Sequence, residues 1–152
     1  VIEWGTSVAG VSIYLNYMGD TEEAFNLYRS VFGGEFTAFQ RLGEVPADPS
    51  SPQLTEDERQ MVMHVELPIL DGTKLMGTDM LESMGHELRL GNNITISLEL
   101  DDLADANQKF AALSEGGSDV VSLAPMFWGA HWGVCCDPFG VRWMFNVPDA
   151  PA

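Results

Sequence analysis

Residues 11–34 read VSIYLNYMGDTEEAFNLYRSVFGG, and residues 94–117 read ITISLELDDLADANQKFAALSEGG. Each stretch runs from an apolar strand through an acidic cap into an amphipathic helix and stops at Gly-Gly. VSIYLNYM is rich in β-branched and aromatic residues, as strands are. Asp20 or Thr21 can cap the helix that follows, and Glu22 and Glu23 suit the positive end of its dipole. Ala24, Phe25, Leu27, Tyr28, Val31 and Phe32 recur at helical spacing. Gly33 and Gly34 end the helix, because glycine accepts a positive φ. In the second stretch Ile94, Ile96, Leu98 and Leu100 alternate with Thr95, Ser97 and Glu99, which predicts a strand with one buried face. Asp20, Ala24 and Tyr28 match Asp102, Ala106 and Phe110.

The repeat extends outward in register. Residues 35–43 read as a second strand, followed by a polar loop that holds Pro46, Pro49 and Pro52. QMVMHVELPIL (60–70) reads as a third strand. An Asp71-Gly72 turn leads to a fourth, TKLMGTDM (73–80). In the second half, residues 119–124, 131–136 and 141–147 read as strands. GTKLM (72–76) matches GVRWM (140–144). The order points to a duplicated βαβββ unit. The expectation is one α+β domain over residues 1–152, with module 1 at about 11–80, a linker at 81–93 and module 2 at about 94–147. Neither half can bury its sheet alone. The halves should therefore pair into a curved mixed sheet, with helices on one face and a ligand cleft on the other.

Composition narrows the partners. The 152 residues include 7 Lys and Arg against 23 Asp and Glu, a formal charge of −16. Nucleic acid needs a basic footprint, which is missing, and an anionic membrane would repel the chain. VIEWGTSVAG (1–10) lacks the features of a secretory signal, and no apolar run is long enough to span a bilayer. Cys135 and Cys136 are adjacent and poorly placed to bridge each other. They predict free thiols in a reducing compartment, hence a cytoplasmic location.

Three stretches carry a family resemblance. YLNYMGDTEEAFNLYRSVFGGEF (14–36), MVMHVELPILDGTKLMGTD (61–79) and FWGAHWGVCCDPFGVRWMFN (127–146) resemble the PhnB-like branch of the glyoxalase/bleomycin-resistance/extradiol dioxygenase (vicinal oxygen chelate) superfamily. The likeness runs in order over about residues 11–147. It implies the glyoxalase/bleomycin-resistance fold and leaves the activity open. The superfamily includes metal-dependent lyases, isomerases and dioxygenases, and also metal-free drug-binding resistance proteins. Some PhnB-like relatives carry a methyltransferase label, but the chain has no Gly-rich nucleotide loop after a strand.

The resemblance places metal ligands on the first and last strands of each half, here Ile13, Met76, Thr95 and Met144. Isoleucine has no donor atom, and a thioether suits soft copper(I) better than a hard divalent ion. No metal and no cofactor are therefore expected. Strand alternation places His64 and Glu66 toward the cleft, as a titrating pair or as a core histidine with its hydrogen bond. Lys74 and Arg142 hold matching repeat positions, for recognition of an anion or for internal salt bridges. Trp132, Val134 and Cys136 are expected on the core face, with His131 and Cys135 toward the cleft. The candidate ligand-binding set is His64, Glu66, Lys74, Met76, Thr95, Ser97, Trp128, His131, Cys135, Arg142 and Met144. The function expected is metal-free binding of a small molecule, anionic and partly aromatic, by a homodimer. The alternatives are a lyase, isomerase or dioxygenase-type enzyme with a rearranged metal or acid–base site, and a dimer with a vestigial pocket.

Overall fold

In β1, Ile13–Tyr17, the alternation of Ile13, Leu15 and Tyr17 decides which side faces inward, and all three join the core. The computed structural model describes residues 9–151. The reading of the start of the chain as no secretory signal falls mainly on residues 1–8, outside the described residues. After β1 come α1 (Thr21–Phe32), β2 (Ala38–Arg41), a short α2 (Glu56–Gln60), β3 (Val62–Ile69) and β4 (Thr73–Asp79). The second half holds β5 (Ile96–Glu99), α3 (Leu103–Ser114), β6 (Ser118–Met126), β7 (Ala130–Cys136) and β8 (Arg142–Pro148). The α+β class and the βαβββ order of both halves are as expected. The short α2 falls where a loop is expected; a Thr55–Glu58 capping box starts it at the end of the proline loop.

The strands form two four-stranded sheets, ordered β1-β4-β3-β2 and β5-β8-β7-β6. In each, the first strand pairs parallel with the last and the remaining pairs are antiparallel. The inner faces of both sheets, α1 and α3 share one buried cluster. Tyr28 and Phe32 of α1 lie 5.4 and 5.6 Å, centroid to centroid, from Trp143 of β8, which locks the halves together. The outer face of each sheet is the one turned away from that cluster.

Two buried carboxylates fix the joints. Asp79 at the end of β4 accepts from the amides of Gly19, Thr21 and Val62 and from the Thr21 hydroxyl, at 2.7–3.1 Å. It caps α1 in place of Asp20, whose side chain makes no capping bond. Asp102 does cap α3, accepting from the Asp105 amide. Asp137, in the β7–β8 turn, accepts from the Tyr28 hydroxyl at 2.6 Å and from the Trp143 indole at 2.9 Å. Tyr28 also meets the Tyr17 hydroxyl at 2.9 Å, and burial pushes both phenols well above their ordinary pKa.

Candidate functional site

The outer face of the first sheet carries a chain of polar side chains. Register pairs Glu66 with Met76 across β3 and β4, Tyr14 with Met76 across β1 and β4, and Gln40 with His64 across β2 and β3. Tyr14, His64, Glu66, Lys74 and Met76 thus share one surface. The His64 Nε2 lies 3.0 Å from Glu66 Oε1, and Lys74 Nζ lies 3.0 Å from Glu66 Oε2. The Tyr14 hydroxyl is 2.9 Å from His64 Nδ1. An ionised carboxylate only accepts, so His64 Nε2 carries the proton, and a neutral His64 accepts from Tyr14 at Nδ1. His64 and Lys74 hold the Glu66 carboxyl below the usual range. Burial, with Glu66 nearby, raises the Tyr14 phenol, so at neutral pH it is a hydrogen-bond donor. Tyr14 is 45% exposed and forms the open end of the chain of bonds.

The second sheet carries an aromatic surface. Ser97 pairs with Met144, Glu99 with Asn146, Trp132 with Asn146 and Val134 with Met144. The Trp128 Nε1–H donates to Asn146 Oδ1 at 3.2 Å, and Asn146 Nδ2 donates to Glu99 Oε2 at 3.0 Å. Trp128 and Trp132 meet edge to face at 6.2 Å. Glu99 and Asn146 so anchor one Trp edge while its ring stays 48% exposed. An apolar ring with a tethered polar edge is suited to stacking.

Several predicted residues lie elsewhere. Antiparallel register sets His131, Gly133 and Cys135 opposite Val147, Phe145 and Trp143, on the inner face. The expected parity of β7 is therefore reversed: Trp132, Val134 and Cys136 face outward. Burying Trp143, Phe145 and Val147 decides it, at about 1.5–3 kcal/mol for each fully buried large side chain. Gly133 suits the inner side because a Cβ there would meet the Val121 carbonyl at 2.7 Å, where β6 bulges. Cys135 is 1% exposed, and burial, then Asp137, pushes its thiol up to about 11, which leaves no thiolate for neutral-pH chemistry. His131 pairs with Asp149 at 3.2 Å instead of with the candidate residues. Thr95 precedes β5, in step with Ser97.

Lys74 and Arg142 stand on the outer faces of two different sheets, each with its own carboxylate. Arg142 Nη1 donates to Asp119 Oδ2 at 3.2 Å, and its buried Nε has no partner among the described residues. Arg142 also borders a cavity of about 630 Å³ beside Leu90, Asn92 and Ser118.

The metal positions implied by the resemblance do not fit a metal. Ile13 faces inward beside Leu75, so the outward neighbour of Met76 is Tyr14, and the outward neighbour of Met144 is Ser97. A phenol, a hydroxyl and two thioethers suit no hard or borderline divalent ion. Among the described residues no three His, Cys, Asp or Glu side chains converge.

The candidate set leaves out Tyr14, Glu99 and Asn146. The alternation of Ile13, Leu15 and Tyr17 was the available signal for Tyr14. Nothing local marks the Trp128–Asn146 bond, which spans 18 residues.

Comparison with known proteins agrees with this fold. YjdN of Escherichia coli K12 is 26% identical over 90% of this chain and 94% of its own length. A Pseudomonas aeruginosa protein of known crystal structure is 31% identical, covers 93% of this chain and 99% of its own, and superposes with a TM-score of 0.78. A PhnB protein from Bacillus cereus shares the fold at TM-score 0.72 and 20% identity over 91% of this chain and 99% of its own. The profile of one family spans residues 13–145, and the chain belongs to it: the glyoxalase/bleomycin resistance protein/dioxygenase superfamily.

Proposed function

We propose that the chain is a small-molecule-binding member of its superfamily that works without the superfamily's usual metal site. The observation that carries this reading is the aromatic outer face of the second sheet, where Trp128, Trp132, Val134 and Met144 are only partly covered. A ligand with an aromatic ring gains stacking area there. The poor ligand set at Tyr14, Met76, Ser97 and Met144 supports binding without a metal.

The working unit in this proposal is a cytoplasmic homodimer of one-domain chains. In this proposal a two-sided pocket sets the aromatic face of one copy against the Tyr14–His64–Glu66–Lys74 face of another. A negative group on the ligand would draw Lys74 or Arg142 from its carboxylate, and in a chain of charge −16 it needs such a local cation. A thermal-shift screen with 2-naphthoate, 2-naphthol and 2-naphthylmethylammonium tests this. A ligand bound only by the native state raises apparent stability. Naphthoate is expected to stabilise most, and less so in Trp128→Ala, Lys74→Ala and Arg142→Ala. Stabilisation by the ammonium compound alone contradicts the reading.

A second reading, a lyase or isomerase acting by acid–base chemistry, is favoured by one observation: the continuous Tyr14–His64–Glu66–Lys74 chain of bonds. Glu66 would orient His64, and Tyr14 would offer a proton at the open end. Turnover that Tyr14→Phe abolishes would select it over simple binding.

A further inference from the structure

The seven Lys and Arg of this chain are not equally engaged. Arg29, Arg41, Lys74, Arg89, Lys109 and Arg142 each lie within 3.8 Å of a carboxylate. Arg59 has no carboxylate partner among the described residues. One of its Nη donors reaches the Gly43 carbonyl at 3.1 Å, and its other donors have no partner among the described residues. In a chain with 23 acidic residues, a guanidinium left over is informative.

Arg59 borders a cavity of about 520 Å³ beneath the proline loop. That volume is within the range of small-ligand pockets. Leu42, Val45, Pro49, Leu54, Leu81 and Met84 contribute apolar wall. The prolines bring no N–H donors, so the loop can turn an apolar underside to the cavity without leaving amides unmade. One carboxylate, Asp48, borders the same space, but its Oδ1 is engaged by the Ser50 amide at 2.9 Å and the Ser50 hydroxyl at 2.7 Å. The cavity thus combines apolar walls, one available cation and an acid bonded to its own loop. None of its lining residues belongs to either outer sheet face.

We propose that this cavity is a second binding site, for an apolar monocarboxylate whose chain lies under the proline loop and whose carboxylate meets Arg59. The guanidinium can bind both carboxylate oxygens, which an alcohol of the same length cannot reproduce. Because Arg59 is exposed, the preference is modest. A surface ion pair corresponds to a difference of about threefold to fivefold.

The test is a titration of the whole protein with octanoate and with 1-octanol, followed by amide chemical shifts. Octanoate is expected to bind more tightly than octanol, with shifts concentrated at residues 42–54 and 81–84. Arg59→Gln is expected to remove the preference while octanol binding stays the same, which also shows that the variant is folded. Met84→Glu, which puts a negative charge at the cavity wall, is expected to weaken octanoate more than octanol. Lys74→Ala and Trp128→Ala are expected to leave octanoate binding unchanged, which separates this site from the sheet-face proposal. Equal binding of the two probes, a preference that survives Arg59→Gln, or octanoate binding lost in Lys74→Ala would each overturn it.

Discussion

Asp79 is 6% exposed and accepts four hydrogen bonds from two separate segments. Removing it leaves the Gly19, Thr21 and Val62 amides without their acceptor and α1 without its cap. Each unsatisfied buried group costs about 1–3 kcal/mol, so Asp79→Ala is expected to lose about 2–4 kcal/mol in urea unfolding. A loss under half a kilocalorie would show that water replaces the carboxylate. The 58-residue separation between Asp79 and Thr21 hides this role from sequence reading, which assigns the cap to the adjacent Asp20. At Glu66 the effect depends on pH. Its carboxyl is held below the usual range, so its pairing with His64 and Lys74 contributes in full above the unfolded-state pKa and is lost as pH falls through the lower folded value. The stability difference between wild type and Glu66→Gln, within about 1 kcal/mol for a partly exposed pair, is therefore expected to hold at pH 5–7 and to shrink below about pH 4. A difference that stays constant down to pH 3 would contradict this assignment.

Among the elements, α1 packs closely on β4. A Cβ at Gly77 would lie 2.5 Å from Phe25 Cε2 and 3.3 Å from Thr21 Cγ2. The helix can approach β4 this closely because that position has no side chain. Gly77→Ala is expected to cost about 1–3 kcal/mol through overpacking, measured as a lower urea midpoint with unchanged slope. A neutral substitution would mean that α1 can move off the sheet. Both long helices and most strands were legible because their apolar residues contrast strongly with what lies between them, as in Ile94–Leu100. β7 was not. His131 to Cys136 alternates Trp132 and Val134 with Gly133 and Cys135, and local hydrophobicity favours turning the larger pair inward. The stronger contrast in β8, with Trp143, Phe145 and Val147 against Met144 and Asn146, overrides it through the sheet register. The resemblance likewise points to Ile13, while the register with β4 puts Tyr14 beside Met76 on the outer face. The face was thus legible where it rests on repeat positions, as at Lys74, Met76, Arg142 and Met144, and illegible where parity depends on a partner strand.

Across the whole molecule, the duplication places two similar sheets over a shared core and gives them dissimilar outer faces. One is polar and hydrogen-bonded; the other is aromatic. Light scattering at micromolar concentration is expected to give a mass near twice the chain's 16.7 kDa, since the proposed two-sided pocket joins two copies. A mass near 16.7 kDa would leave each face as an open surface. The proposal that an aromatic ligand binds at the Trp128 face without a metal is tested most directly by calorimetric titration of 2-naphthoate in the presence of EDTA, with wild type and Trp128→Ala side by side. The account predicts saturable binding to wild type that weakens about tenfold or more in Trp128→Ala, the scale of a buried aromatic contact. Binding that appears only when a divalent metal is restored, or that is equally tight in Trp128→Ala, would contradict it.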